Sequence, residues 1–168
     1  MKKALMALSL LLALTLCTGA LASCGDEAEN GSGTTSAASS QKSLQDVYDR
    51  ITKKVSFPAM TVLNDDYIES YYGLTDEDMA DKYFAAAEDA LLADTIAIVK
   101  VADGVSSAEI EEVFQGVNEQ KKLELESYNP EQYKRVEKAA IATVGDYVVY
   151  IVSDDNDAVI RIIESALA

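Results

Sequence analysis

Residues 139–153 read AAIATVGDYVVYIVS, two apolar, largely β-branched runs separated by Gly145-Asp146. A two-residue loop with glycine first supplies the positive φ of a type II′ turn, whose twist suits paired antiparallel strands, so Ala139–Val144 and Tyr147–Ser153 are expected to form a hairpin. In that hairpin Val144 stands opposite Tyr147. Ala142, Val149, Ala140 and Ile151 share their face, while Ile141, Thr143, Val148, Tyr150 and Val152 take the other. Both sets are largely apolar. Unless helices cover each, one face is left for a partner, and a homodimer or a docked protein is the expectation that follows.

Working outward, Thr95–Ala102 (TIAIVKVA) is another β-branched run, closed by Asp103-Gly104, and reads as a strand. Ser43 with Asp46 resembles a capping pair. Leu44, Val47, Tyr48, Ile51 and Val55 follow at helical spacing, which predicts a first amphipathic helix ending near Phe57-Pro58. Asn64 and Gly73 are suited to cap and stop a short helix over Asp65–Tyr72. Ser106 with Glu109 forms a capping box that opens a long helix reaching about Tyr128, with Ile110, Val113, Phe114, Val117 and Leu125 on one face. Asn129-Pro130-Glu131-Gln132 starts a further helix, with proline first and Gln132 able to reach back to the cap. Asp154 or Asp155 can cap a last helix, on which Val159, Ile163, Ala166 and Leu167 share a side. Only Lys82–Ala93 (KYFAAAEDALLA) is ambiguous, because its alanines favour helix on local propensity. The sum predicts one α+β domain over residues 44–168, a mainly antiparallel sheet of about four strands with helices covering one face.

Ahead of that domain, Lys2 and Lys3 precede an apolar run from Ala4 to Leu16, then small residues around Ser23, which is the order of a secretory signal. The run is about 13 residues, short of the roughly 20 that a permanent span needs. It ends in Leu21-Ala22-Ser23-Cys24, which resembles the lipobox of bacterial lipoproteins; the resemblance implies cleavage after residue 23 and diacylglyceryl transfer to Cys24. Cys17 is a poorer candidate, since Leu16 stands where a small residue is required. Two long acyl chains hold a protein on a membrane stably where one is marginal. The expected location is therefore the outer face of the cytoplasmic membrane. Residues 24–43 then form the lipidated cysteine and a flexible linker, too poor in apolar groups to offset chain entropy, with a reach of roughly 25 Å.

The full sequence holds 29 acidic against 14 basic residues, a formal charge of −15, and loss of the signal removes two lysines and no acid. Nucleic acid and anionic headgroups repel such a chain, and neither is an expected partner. The sequence has no histidine and two cysteines, of which only Cys24 survives cleavage. The fold then rests on its core without a disulfide, and the usual zinc, copper and haem ligand sets are missing. Oxygen-ligand cations such as calcium or magnesium remain open.

The DVYDRI helix at 46–51, the Tyr72-Gly73-Leu74 step, the strand Ile96-Ala97-Ile98-Val99-Lys100, and Tyr128-Asn129-Pro130-Glu131-Gln132-Tyr133 ahead of Gly145-Asp146-Tyr147 are specific together through their order and spacing. In these features residues 44–153 resemble a domain of unknown function found in lipoproteins of clostridium-like Gram-positive bacteria. The resemblance implies that residues near 82–89 form a strand pairing with 95–102, against local propensity. It implies no activity, and no cofactor is expected.

Motifs of chemistry are sparse. Ser39-Ser40-Gln41-Lys42 matches a Ser-x-x-Lys pattern but lies in the linker, with no Lys-Thr-Gly after it. The pairs Asp65-Asp66 and Asp154-Asp155 could serve acid–base work, yet helix capping explains them more simply. Asp76, Asp78 and 154–157 miss the glycine and register of a calcium loop. The remaining feature is an asymmetry of charge: from Lys54 to Lys82 there is no other basic residue, while Asp65, Asp66, Glu69, Asp76, Glu77, Asp78 and Asp81 crowd around Tyr67, Tyr71 and Tyr72. This is the candidate partner- or cation-binding surface, its tyrosines able to stack on a sugar ring or a side chain. Neutralising Asp76, Glu77 and Asp78 together is expected to slow association and leave the fold intact. The function expected is a non-enzymatic, membrane-anchored module that binds an envelope protein or wall component. A small-ligand or cation-binding lipoprotein is the first alternative, and a carboxylate-dependent envelope enzyme the second.

Overall fold

In a computed structural model, which describes residues 43–167, the chain runs α1 (Leu44–Thr52), β1 (Met60–Val62), α2 (Asp65–Tyr72), β2 (Met79–Ala87), β3 (Thr95–Val101), α3 (Ser107–Glu126), α4 (Pro130–Glu137), β4 (Ala140–Val144), β5 (Tyr147–Val152) and α5 (Asn156–Leu167). The signal sequence, Cys24 and the linker through Lys42 lie outside the described residues. The strands form one five-stranded antiparallel sheet in the order β1-β2-β3-β5-β4.

The hairpin forms as its sequence predicts. Gly145 takes φ +58°, Val144 pairs with Tyr147, and Ala142 and Ala140 stand opposite Val149 and Ile151. Alternation then sends side chains into two cores. Tyr83, Ala85, Ile96, Ile98, Val149 and Ile151 meet α1 and α5 on one face. Phe84, Ala97, Val99, Val148, Tyr150 and Val152 meet α2, α3 and α4 on the other. Helices therefore cover both faces, not one, and the uncovered face that motivated a partner is filled by the chain itself. Because β3 and β5 are central strands buried on both sides, they read as continuous apolar runs, with Ile96 through Val99 and Val148 through Val152 fully buried.

β2 follows the family resemblance and overrides the helical propensity of its alanines. Lys82, Phe84 and Ala86 lie opposite Val99, Ala97 and Thr95. Tyr83 and Ala85 serve one core while Phe84 serves the other, a period of two that tertiary burial rewards. Only residues 88–94 turn, the Leu91 N–H donating to Asp89 Oδ1 at 2.9 Å. The fifth strand, β1, was not expected; at three residues it is too short to show a period, and it pairs Met60–Val62 with Ala87–Ala85.

Caps hold at several ends. Ser43 Oγ and Asn64 Oδ1 accept from the N–H groups of Asp46 and Tyr67, and Glu109 Oε2 accepts from the Ser106 N–H at 2.9 Å. Two expectations are corrected. α1 stops at Thr52 rather than near Phe57-Pro58, because the N–H groups of Lys54 and Val55 both donate to the Ile51 carbonyl and turn Val55 back into the core. Gln132 does not reach its cap; its Oε1 accepts from the Ala93 N–H at 2.9 Å. The cap expected for α5 from Asp154 or Asp155 is present, with Asp155 accepting from the Ala158 N–H while Asp154 pairs with Arg135.

Candidate functional site

Helical geometry divides the surface that the sequence presents as one. On α2, Asp65 and Glu69 lie four apart on one side, Tyr67 and Tyr71 lie four apart on another, and Ile68 and Tyr72 point into the core. The acidic side forms a shallow cleft of about 440 Å³ with Leu74, Thr75, Asp76, Glu77 and Lys82. Lys82, reaching over from β2, pairs with Asp65 at 3.1 Å and with Asp76. The Asp76 contact, against some loss of hydration, raises the Lys82 ammonium above its ordinary value. Asp78 also serves the fold. Its Oδ2 accepts from the Thr75 N–H at 2.8 Å and from Thr75 Oγ1 at 2.9 Å, closing the turn between α2 and β2. Asp66, Glu77 and Asp81 stay exposed. Among the described residues no group of three or more His, Cys, Asp or Glu side chains is placed to hold a metal ion.

The tyrosine side opens on a different cleft, about 370 Å³, between α2, the C-terminal half of α3 and the 88–94 turn. Tyr67 is 46% exposed and stacks on Tyr71 with ring centroids 5.4 Å apart. From there an aromatic series leads inward. Tyr71 meets the edge of Tyr72, which contacts Phe84 and Phe114, and Phe114 stacks on Tyr150 at 5.6 Å. Tyr72, 5% exposed, is therefore a core residue rather than part of the surface. Burial, reinforced by Glu124 and Tyr67, pushes the Tyr71 hydroxyl up to about 12.

Across the cleft from these rings stands Lys121. It lies on the buried stripe of α3, seven residues after Phe114 and four after Val117. Its Nζ donates to Thr95 Oγ1 at 2.9 Å, and that hydroxyl donates onward to the Ala93 carbonyl at 2.9 Å, so the threonine proton is committed and its oxygen must accept. The ammonium also lies 5.8 Å above the Tyr150 ring. Burial lowers its pKa to about 8, against the opposing fields of Glu124 and Asp94. No carboxylate lies within ion-pair distance of it among the described residues. Beneath the cleft, Asp94 is 2% exposed and accepts from one guanidinium nitrogen of Arg135 at 2.6 and 2.7 Å, while Arg135 also holds Asp154.

Lys121, Asp94 and Arg135 carry no motif. The signal for Lys121 was a cation in register with an apolar helical stripe. For Asp94 and Arg135, 41 residues apart, no local signal exists.

Residues 53–153 match the family described as Domain of unknown function (DUF4358), and the chain belongs to that family. No curated protein and no solved structure matches it.

Proposed function

We propose that the chain is an extracytoplasmic lipoprotein, anchored through Cys24 at the outer face of the cytoplasmic membrane. On this reading it is a non-enzymatic module that binds an envelope protein or wall component through the cleft between α2 and α3. The observation that carries the binding role is the cleft itself. A half-exposed tyrosine backed by a buried aromatic series, facing a lysine with no ion-pair partner among the described residues, offers apolar contact area and a charge awaiting its complement, the combination that concentrates binding energy in interfaces. The anchor is supported by the Leu21-Ala22-Ser23-Cys24 step after an apolar run of signal length. Among the described residues no helix is long and apolar enough to cross a membrane.

The anchor is tested by Cys24→Ala, which should leave an unprocessed precursor; a normally cut, acylated mature chain from that variant refutes it. The cleft is tested by a photo-crosslinking residue placed at position 67 in intact cells, with a second at Ser127 as a surface control. Adducts should form from position 67 and vanish with Lys121→Met; equal adducts from both positions would remove the cleft as the binding surface. The cleft's concavity also suits a small ligand, which would show as a melting shift on ligand addition that Tyr67→Ala abolishes.

A further inference from the structure

Cations are scarce in this chain, 14 against 29 acids, and among the described residues Lys82, Lys122 and Arg135 are each paired with carboxylates. Arg50 and Lys54 from the end of α1 and Arg161 from α5 are different. They line one open cleft of about 300 Å³ whose other walls are Val55, Ala158, Ile162 and Ser165, with no acidic side chain among them. The nearest acids in sequence, Asp46 and Asp49 on α1 and Asp157 and Glu164 on α5, form no ion pair with the three. Lys53 stands exposed beside them. Two guanidinium groups, an ammonium and a hydroxyl around an apolar floor make a receptor for a phosphate ester carrying a hydrocarbon part.

We infer that the α1–α5 cleft docks the domain onto the anionic phospholipid headgroups of a membrane surface. Position favours a membrane over a free phosphate compound. α1 is the first element after the segment that joins the domain to Cys24, and α5 packs beside it on the same face of the sheet. A membrane within reach of that short segment is the taking-up of the proposed lipid anchor, and to that extent the inference leans on the reading above. The chain's remote acids do not forbid the contact, because charges more than about 8 Å from the surface are largely screened at physiological salt, while Asp46, Asp49, Asp157 and Glu164, within about a helical turn of Arg50 and Arg161, oppose it and limit its strength. The cleft of Tyr67 and Lys121 belongs to the opposite face of the sheet. Docking by α1 and α5 would therefore turn it outward, toward other envelope components.

The test uses the chain from residue 24 onward, with Cys24→Ala to remove any acyl group, co-sedimented with vesicles of phosphatidylcholine alone or mixed with phosphatidylglycerol. Binding is expected to the mixed vesicles, to fall as salt is added, and to weaken about tenfold or more with Arg50→Gln, Lys54→Gln and Arg161→Gln together. The same loss of charge at Lys122, Lys134 and Lys138 on the α3–α4 side should leave it nearly unchanged. A melting curve shows whether each variant is folded, and single substitutions replace a triple variant that is not. Equal binding to neutral vesicles, no binding to anionic ones, or indifference to the cleft substitutions would overturn the inference. So would full competition by inorganic phosphate, which would make the cleft a free-anion site. A failure of the anchor shows instead as normal processing without Cys24, and leaves the vesicle result standing.

Discussion

The two faces of the sheet are equally dry and differently made. Against α1 and α5 the contacts are mostly aliphatic, with Leu44, Val47, Ile51, Val159 and Ile163 on Ile96, Ile98, Val149 and Ile151. Against α2, α3 and α4 the core is threaded by the rings of Tyr72, Phe84, Phe114 and Tyr150, and most buried polar side chains collect on that side or at its margin: Asp94 holds Arg135, Thr95 accepts from Lys121, Asn118 accepts from the Tyr150 hydroxyl, and Gln132 accepts from the Ala93 N–H. Aliphatic packing holds helices to a sheet and asks little of geometry. Hydrogen-bonded polar groups inside an aromatic core fix particular atoms, and here they fix the walls of a cleft. The difference teaches that one layer chiefly stabilises while the other positions.

The sharpest way to break that comparison is to empty each core in turn. Phe114→Ala removes the ring joining Tyr72, Phe84 and Tyr150 and should cost about 3–5 kcal/mol, against about 2–5 kcal/mol for Ile163→Ala on the aliphatic side. Denaturant midpoints report both. Only Phe114→Ala should also loosen the Tyr67–Tyr71 stack, seen as a changed tyrosine fluorescence; the same change from Ile163→Ala would erase the distinction between layers. Next in size is Arg135→Ala, which leaves the Asp94 carboxylate without its cation. With Arg135 partly exposed, a loss of about 2–3 kcal/mol is expected, and Asp94→Asn with Arg135→Met should recover part of it.

Lys121→Met tests the cleft with pH. The folded-state pKa of Lys121, about 8, lies below the ordinary 10.5, so its charge opposes folding. That opposition is fully present below about pH 8 and fades as pH rises toward 10.5, where the unfolded lysine also loses its proton. The stability of Lys121→Met relative to the natural chain should therefore be greatest near pH 7 and shrink by pH 9.5 in paired urea titrations. A pH-independent difference would mean that the ammonium is as well hydrated as an exposed one. The smallest effect separates Asp78 from its neighbours. Asp78→Ala should cost about 1 kcal/mol through the Thr75 turn, whereas Asp76→Asn with Glu77→Gln should stay within about 0.5 kcal/mol. Neutralising all three at once therefore confounds binding with folding, and the milder pair is the right probe of salt-sensitive association.

What the sequence made legible follows the distance over which each signal acts. The hairpin faces, the Ser106–Glu109 box and the Asn64 and Gly73 ends of α2 are written within a few residues. β2 was hidden because its alanines report an intrinsic preference, and only Val99, Ala97 and Thr95 across the sheet decide otherwise. Crowding Tyr67 and Asp65 into one patch neglected the 100° between successive helical residues, which sends them to separate clefts. The Asp94–Arg135 pair was beyond reach, since nothing near either residue names the other.

The doubly buried strands leave one choice to the Gly145-Asp146 loop. A strand with one wet face is held in register by its own alternation, since a slip of one residue would drown its polar groups. β5 has little of that guard: sliding Val148–Val152 by one place exchanges valine and isoleucine for tyrosine and valine, and within that segment it breaks one polar side-chain bond, that of the Tyr150 hydroxyl to Asn118 Oδ1 at 3.2 Å. The tight loop, with Gly145 at a φ that other residues resist, sets the frame in which β4 meets β5. Gly145→Val would then act less as a loss of contacts than as a loss of reading frame, populating misaligned hairpins that compete with the native one while the chain folds.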